Sequence, residues 1–276
     1  MPEQEKYIDV REAIRKKNPR LLKWMPRFVL KWIKKKVHEK EINGIMSRIG
    51  HLEGIEFCEA GIKELNVHFE FEGLENIPKE GGVILAANHP LGGLDGISFV
   101  STVARVRQDI KFLVNDILLN IENLAPIFVP VNKVGANSKD ALRKMEETYA
   151  SDQAILIFPA GLVSRKQKEG IKDLEWKKSF VKKAIHYQKP IVPVYIDGKN
   201  SKFFYNFARW RKRLGIKANI EMFFLSDEMF RHRNETIKFI IGPPISPDSF
   251  EKKKNFLEIA QDIKEKVYNL RHGKNY

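Results

Sequence analysis

A chain of 276 residues, 43% hydrophobic and 30% charged, can bury one large core or one core with a helical extension. Lysine and arginine outnumber aspartate and glutamate 49 to 35, a net charge of +14 that points to an anionic partner, either nucleic acid or an anionic membrane surface. The single cysteine, Cys58, excludes an internal disulfide and a cysteine-rich metal site, and no run of about eighteen apolar residues is present to span a bilayer.

The first nine residues are polar and lack the apolar core of a secretory signal, so a cytoplasmic protein is expected. Between Arg11 and Lys40 twelve basic residues face only Glu12 and Glu39. Within that stretch Leu21, Met25, Phe28, Val29, Trp32, Ile33 and Val37 recur at three- and four-residue spacing, with Pro26 at the first turn of a fresh helix. Basic flanks, an apolar stripe and tryptophans describe an interfacial helix lying on a membrane, with Trp24, Phe28, Trp32, Lys34, Lys35 and Lys36 as its contacts. Each basic residue held near an anionic leaflet contributes about 1 kcal/mol. Residues 1–62 are read as this membrane-associating region and 63–276 as the globular domain.

A helix is expected over Ile42–Ile49, after which the pattern weakens and Cys58 reads as filler. Val67–Gly73 alternates apolar and polar residues, the mark of a half-buried strand. Val83–Ala87 is a fully apolar run, hence a buried strand, and Asn88-His89-Pro90-Leu91-Gly92-Gly93-Leu94-Asp95 breaks it into a tight loop. A helix over Gly96–Val106, a strand over Lys111–Val114, an apolar run at Ile127–Val131 and a helix from Ser138 to Tyr149 follow. Ala154–Phe158 and Ile191–Ile196 are buried strands; Trp176, Phe180, Ala184 and Tyr187 mark a helix face between them. Ile237–Ile241 and a helix within Asp248–Leu270 complete the pattern. Strands alternating with helices imply a mixed, largely parallel α/β sheet flanked by helices, behind the N-terminal amphipathic extension.

Phe203, Phe204, Trp210 and Arg211, among further aromatics and cations from Lys202 to Arg213, form a second basic-aromatic stretch suited to a membrane interface. Single-stranded nucleic acid would also stack on such a surface. No helix-turn-helix, zinc finger or RNA-recognition signature accompanies it, and the His89–Asp95 block would then have no task, so no nucleic-acid partner is expected.

Among catalytic signatures, G-x-S-x-G, H-E-x-x-H, the G-x-x-x-x-G-K-[ST] phosphate loop and G-x-G-x-x-G are all missing. No metal and no cofactor are therefore expected. What is present is a histidine that takes a proton near neutral pH and a carboxylate placed to orient it, without a nucleophile. Loops after parallel strands converge on one pocket, so the segments after Ala87, Phe158 and Ile196 belong to one site.

In order and content these blocks resemble the glycerolipid acyltransferase family: Asn88-His89 with Asp95, the apolar run at Ile127–Val131, Phe158-Pro159-Ala160-Gly161 with Ser164-Arg165, and Val192-Pro193-Val194. The further matches Asp173–Lys178 and Gly198–Tyr205 are closer to the hemolysin-like bacterial branch, which includes lyso-aminolipid O-acyltransferases. The resemblance implies that His89 is a general base and Asp95 its orienting partner. It implies direct attack of an acceptor hydroxyl on the thioester of an acyl carrier protein or coenzyme A, as co-substrate, with Asn88, Gly92, Gly93, Lys133, Pro159, Gly161, Ser164 and Arg165 lining the substrates. It further implies a peripheral enzyme of membrane lipid biosynthesis on the cytoplasmic face of the cell membrane. Three departures stand out. Five residues separate His89 from Asp95 where the family has four, Ala160 replaces a glutamate, and Val131 with Lys133 stands where the family has an arginine. These departures weigh toward a lyso-aminolipid acceptor over lysophosphatidic acid. They also keep open a membrane-associated protein whose site has decayed.

Overall fold

The computed structural model of the chain describes residues 7–115, 118–119, 121–131, 138–216, 219–250 and 254–273. Four helices come first: α1 Val10–Lys17, α2 Pro19–Trp24, α3 Arg27–Lys36 and α4 Glu39–Ile49. Asn18 and Pro19 divide α1 from α2: the Asn18 side chain accepts from the Leu21 amide while proline occupies the first helical position. Pro26 caps α3, where the spacing predicts a fresh helix. Helix α5, Gly54–Leu65, is a finding that the sequence reading does not contain. Its stripe of Ile55, Cys58, Ile62 and Leu65 packs against the core beside α6, Gly93–Val103.

The strands are β1 His68–Glu72, β2 Val83–Ala87, β3 Ile110–Val114, β4 Phe128–Pro130, β5 Ala154–Ile157, β8 Ile191–Ile196 and β9 Thr236–Ile241, ordered β1-β9-β8-β2-β5-β3-β4 in one sheet. All neighbouring pairs are parallel except β8 with β9. A small antiparallel hairpin, β6 Arg165–Gln167 with β7 Gly170–Lys172, stands apart from the sheet. The remaining helices are α7 Ser138–Ala150, α8 Ser179–His186, α9 Lys202–Arg213, α10 Leu225–Arg231 and α11 Phe256–Leu270. This is the mixed, largely parallel sheet flanked by helices that the pattern predicts.

Strand β2 lies at the middle of the sheet and is buried throughout. Its side chains alternate between two cores. Val83, Leu85 and Ala87 meet α5 and α6 on one face, and Ile84 and Ala86 meet α8 and α11 on the other. Burial on both faces is why a parallel strand reads as an unbroken apolar run. Each fully buried valine, leucine or isoleucine contributes roughly 1.5–3 kcal/mol before entropy is counted. The last helix runs inside the expected span, starting at Phe256 behind a capping box of Asn255 and Glu258 and ending at Leu270. Trp176 precedes α8 and does not share its face; it is fully buried.

The N-terminal helices are tied to the rest through Asp227 of α10. Lys36 donates to Oδ2 at 2.9 Å, His38 Nε2 lies 3.0 Å from Oδ1, and Arg231 adds a contact at 3.2 Å. His38, in the left-handed region at φ 57°, also stacks on Phe230 at 4.3 Å. Burial pushes the Asp227 carboxyl up, but the bonds from Lys36, His38 and Arg231 outweigh it and hold the group below its ordinary value of 3.8. A folded value below the unfolded one gives stability that is present above 3.8 and is lost as pH falls through the folded value. Asp227→Asn should therefore cost about 1–3 kcal/mol at neutral pH, and the urea midpoints of variant and wild type should converge as the solution is acidified.

Burial also pushes the Cys58 thiol up to about 12. The native protein should leave a thiol-exchange reagent unreacted at pH 8, with one equivalent released on unfolding in urea.

Candidate active site

The site grows from the end of β2. Asn88 prolongs the strand by its side chain, accepting from the Ile196 amide at 2.7 Å and donating to the Ile196 carbonyl at 2.9 Å. Both halves of its amide are engaged on β8 and the residue is buried, so it is placed as a clamp between strand ends and not toward a substrate.

The chain then turns at Pro90 and enters α6 through Gly92, at φ 81°. A side chain there is disfavoured on two counts: the backbone lies in the left-handed region, and a Cβ would press on the Leu225 side chain at 3.0 Å. The turn brings Asp95, in the first turn of α6, back beneath His89. Its Oδ2 accepts from His89 Nδ1 at 2.9 Å, the Leu91 amide at 2.6 Å and the Gly92 amide at 3.0 Å. Asp95 is fully buried, and burial pushes its carboxyl above the ordinary carboxylate range while the three donors pull it back. A carboxylate acceptor fixes the proton of the imidazole on Nδ1. Nε2 then carries the lone pair, and among the described residues no hydrogen bond engages it; the side chain is 17% exposed. The ring stacks on Phe158, at the end of β5, with centroids 4.0 Å apart.

The loops after β5 and β8 close on this turn. Gly161, at φ 66°, donates to the Phe158 carbonyl, and Lys177 donates its amide to Pro159 O and lays its ammonium beside Gly161. Ala160, where the related blocks have glutamate, is buried in the core shared with Trp176 and Phe180. From the β8 side, Asn200 donates to the Pro90 carbonyl at 3.1 Å and its own amide to the Tyr205 hydroxyl at 3.0 Å. Burial lifts that phenol to about 12.

Ser164 and Arg165, expected on the substrate, are occupied within the protein. Ser164 is buried and its Oγ donates to Asp173 Oδ1 at 2.6 Å. Arg165 donates to the Val163 carbonyl and pairs with Glu221 at 3.0 Å; Arg211 reaches the other Glu221 oxygen at 2.7 Å. Glu221 is fully buried, so two guanidiniums share one carboxylate. Gly93 is exposed with nothing facing it. Lys133 lies outside the described residues.

The surface residues divide by helix face. Trp24 is 84% and Phe28 74% exposed, with Trp32 and Lys35 also turned outward; Lys34 pairs with Glu39 and Lys36 with Asp227. On α9, Phe203 and Trp210 are exposed, but two members of the expected membrane set are corrected by the fold. Phe204 is fully buried with Val163, Tyr205 and Phe224, and Arg211 turns inward to Glu221. Helical spacing carries the signal that separates them: positions 204, 208 and 211 share one face, and 203, 207 and 210 the other. The two aromatic stretches, far apart in sequence, form one surface. Trp32 meets Phe224 edge-on at 6.1 Å, Phe224 meets Phe203 at 5.0 Å and Phe207 at 5.3 Å, and Phe207 stacks on Trp210 at 6.0 Å. Phe223, exposed beside them, and Glu221 were not anticipated, and Asp173 stands in the sequence reading only as the start of a matching block, without a role; single acidic or aromatic residues without periodic neighbours give little signal in one sequence.

Residues 12–275 match the family model described as Acyltransferase. Two relatives named lyso-glycine lipid O-acyltransferase, from Bacteroides thetaiotaomicron and Phocaeicola vulgatus, are 43% and 42% identical over 264 residues. Those alignments cover 95% of this chain and 97% and 95% of the relatives. The crystal structure of the 1-acyl-sn-glycerophosphate acyltransferase of Thermotoga maritima aligns at 19% identity and a TM-score of 0.49, over 88% of this chain and 89% of that one. A family match that begins in α1 and runs beyond α11, with relatives aligned nearly end to end, makes this chain a member of the acyltransferase family.

Proposed function

We propose that the protein transfers a fatty acyl group from the thioester of an acyl carrier protein or coenzyme A to the hydroxyl of a lysolipid, with His89 as general base. The observation that carries this reading is the His89–Asp95 pair, with Nδ1 held and Nε2 open. Nε2 takes the acceptor's hydroxyl proton as the oxygen attacks the thioester carbonyl, and the buried Asp95 carboxylate stabilises the imidazolium. Collapse of the tetrahedral intermediate breaks the C–S bond, and the imidazolium returns its proton to the departing thiolate. The acyl group passes directly to the acceptor, a course supported by the commitment of the nearby Ser164 hydroxyl to Asp173. The chemistry needs no metal and no cofactor beyond the acyl donor.

A lyso-aminolipid of the glycine type is the acceptor we favour. Both relatives carry that activity in their names, and the buried Glu221 engages both Arg165 and Arg211 and cancels one of their two charges, which supports an acceptor other than a doubly charged phosphate. The protein meets its acceptor on an anionic membrane surface through the aromatic plateau of Trp24, Phe28, Trp32, Phe203 and Trp210, flanked by lysines and arginines. Among the described residues no helix is long and apolar enough to cross a membrane.

His89→Ala should lower acyl transfer about 10²–10⁴-fold, read with labelled acyl donor against a panel of lyso-glycine lipid and lysophosphatidic acid; an unchanged rate with every donor and acceptor would refute the base. Trp24→Ala/Phe28→Ala/Trp32→Ala should lose most sedimentation with phosphatidylglycerol vesicles, and the wild type should be released as salt is raised. Equal binding to uncharged phosphatidylcholine vesicles would contradict the electrostatic part of that reading.

A further inference from the structure

We infer that Asp173 is a positioning residue for His89, holding the histidine's main chain while Asp95 holds its ring. The inference rests on the proposed role of His89 as the base.

Three hydrogen bonds close a ring around the His89 peptide. His89 N–H donates to Asp173 Oδ1 at 3.2 Å, Ser164 N–H donates to the His89 carbonyl at 2.7 Å, and Ser164 Oγ donates to the same Asp173 Oδ1 at 2.6 Å. The other carboxylate oxygen, Oδ2, accepts from Trp176 Nε1 at 2.9 Å. Asp173 is fully buried, so its carboxylate serves these three protein donors and not water. Rotating a buried carboxylate away from its donors leaves buried polar groups unpaired, so the pairing resists displacement and holds the groups bonded to it.

Asp173 is itself fastened to the last helix. Its N–H donates to the Tyr268 hydroxyl at 2.7 Å, and its carbonyl accepts from Lys264 Nζ at 2.8 Å. Trp176 exchanges two hydrogen bonds with Gln261, its amide to Oε1 at 3.2 Å and Nε2 to its carbonyl at 2.9 Å. Tyr268, Lys264 and Gln261 all lie on α11, whose opposite side fills the core with Ile259, Ile263 and Val267. The base is therefore referenced to the rigid core by two independent routes. Asp95 reaches it from α6, and Asp173 from α11.

A carboxylate is required here because every neighbour is a donor. Asp173→Asn keeps the size and an acceptor for His89 and Ser164, but aims an amide N–H at the Trp176 indole N–H. The peptide of His89 then loses its fixed reference, and a base displaced by a fraction of an ångström loses rate without losing substrate affinity.

The test is a double-mutant cycle read as kcat and KM. His89→Ala is measured first; wild-type activity there refutes the base and removes the ground for Asp173. With the base established, Asp173→Asn should lower kcat about 10–100-fold with the acceptor KM within about twofold, and should add nothing in the His89→Ala background. Adding Trp176→Phe, which removes the opposing donor, should restore part of the rate. Tyr268→Phe, which removes the hydroxyl that receives the Asp173 amide and neighbours Ser164, should lower kcat several-fold in the same sense and decides the matter if Asp173→Asn does not fold. If His89→Ala leaves no measurable rate, the NMR signal of the His89 Nδ1 proton replaces the cycle: it shifts in Asp173→Asn or Tyr268→Phe under the proposal. An unchanged kcat in those variants, an equal fold-loss in both backgrounds, or an unmoved Nδ1 proton overturns the positioning role.

Discussion

Asp95 sits where water cannot reach it, at the N-terminus of α6, and its Oδ2 gathers the imidazole and two backbone amides at once. The N-terminal end of a helix favours a negative charge by about 0.3–1 kcal/mol, and three donors offset much of the cost of removing a carboxylate from solvent. The loop from β2 to α6 takes its shape from satisfying this one oxygen. Gly92 adopts a left-handed backbone so that its amide can turn inward, Leu225 fills the space a side chain would have taken, and the histidine is drawn back over the carboxylate. The five residues between His89 and Asp95 span a turn with Gly92 at φ 81°, and this geometry keeps the histidine and the carboxylate within 2.9 Å.

Helix α9 joins this site to the surface. One side carries Phe203 and Trp210 outward into the plateau begun by Trp24 and Phe28; the other buries Phe204 and delivers Arg211 to Glu221, where it meets Arg165 from the loop after β5. The helix stands between the face that suits a lipid interface and the loop that adjoins the histidine. Asp227 does the same for the N-terminal helices, whose exposed tryptophans are held in register with α10 by Lys36 and His38.

Much of this was legible in the sequence because its determinants are local. Strands β2, β5 and β8 are unbroken apolar runs, Pro26 marks the start of α3, and His89 and Asp95 are near neighbours in the chain. What escaped reading depends on distance or on helical phase. Helix α5 escaped reading because Cys58, which belongs to its buried stripe with Ile62 and Leu65, reads as filler, and Gly61 breaks the apparent helical pattern. Phe204 and Arg211 were grouped with their outward neighbours because composition ignores which side of a helix a residue occupies. Asp173 and Glu221 acquire meaning only from partners on other elements: His89 and Tyr268 for the first, Arg165 and Arg211 for the second. No spacing rule links such residues in one sequence.

The anchoring of Asp173 on α11 also orders events in time. At a translation rate of about 5–20 residues per second, the stretch from His89 to Tyr268 takes about 10–35 s to synthesise. During that interval the ribosome has released the histidine and its glycine turn, while the tyrosine that receives the Asp173 amide does not yet exist. Parallel pairing of β1 with β9 imposes a similar delay on the edge of the sheet. The nascent chain thus carries the His89–Asp95 turn early, and the α11 partner that fastens Asp173 behind it is among the last parts to be made.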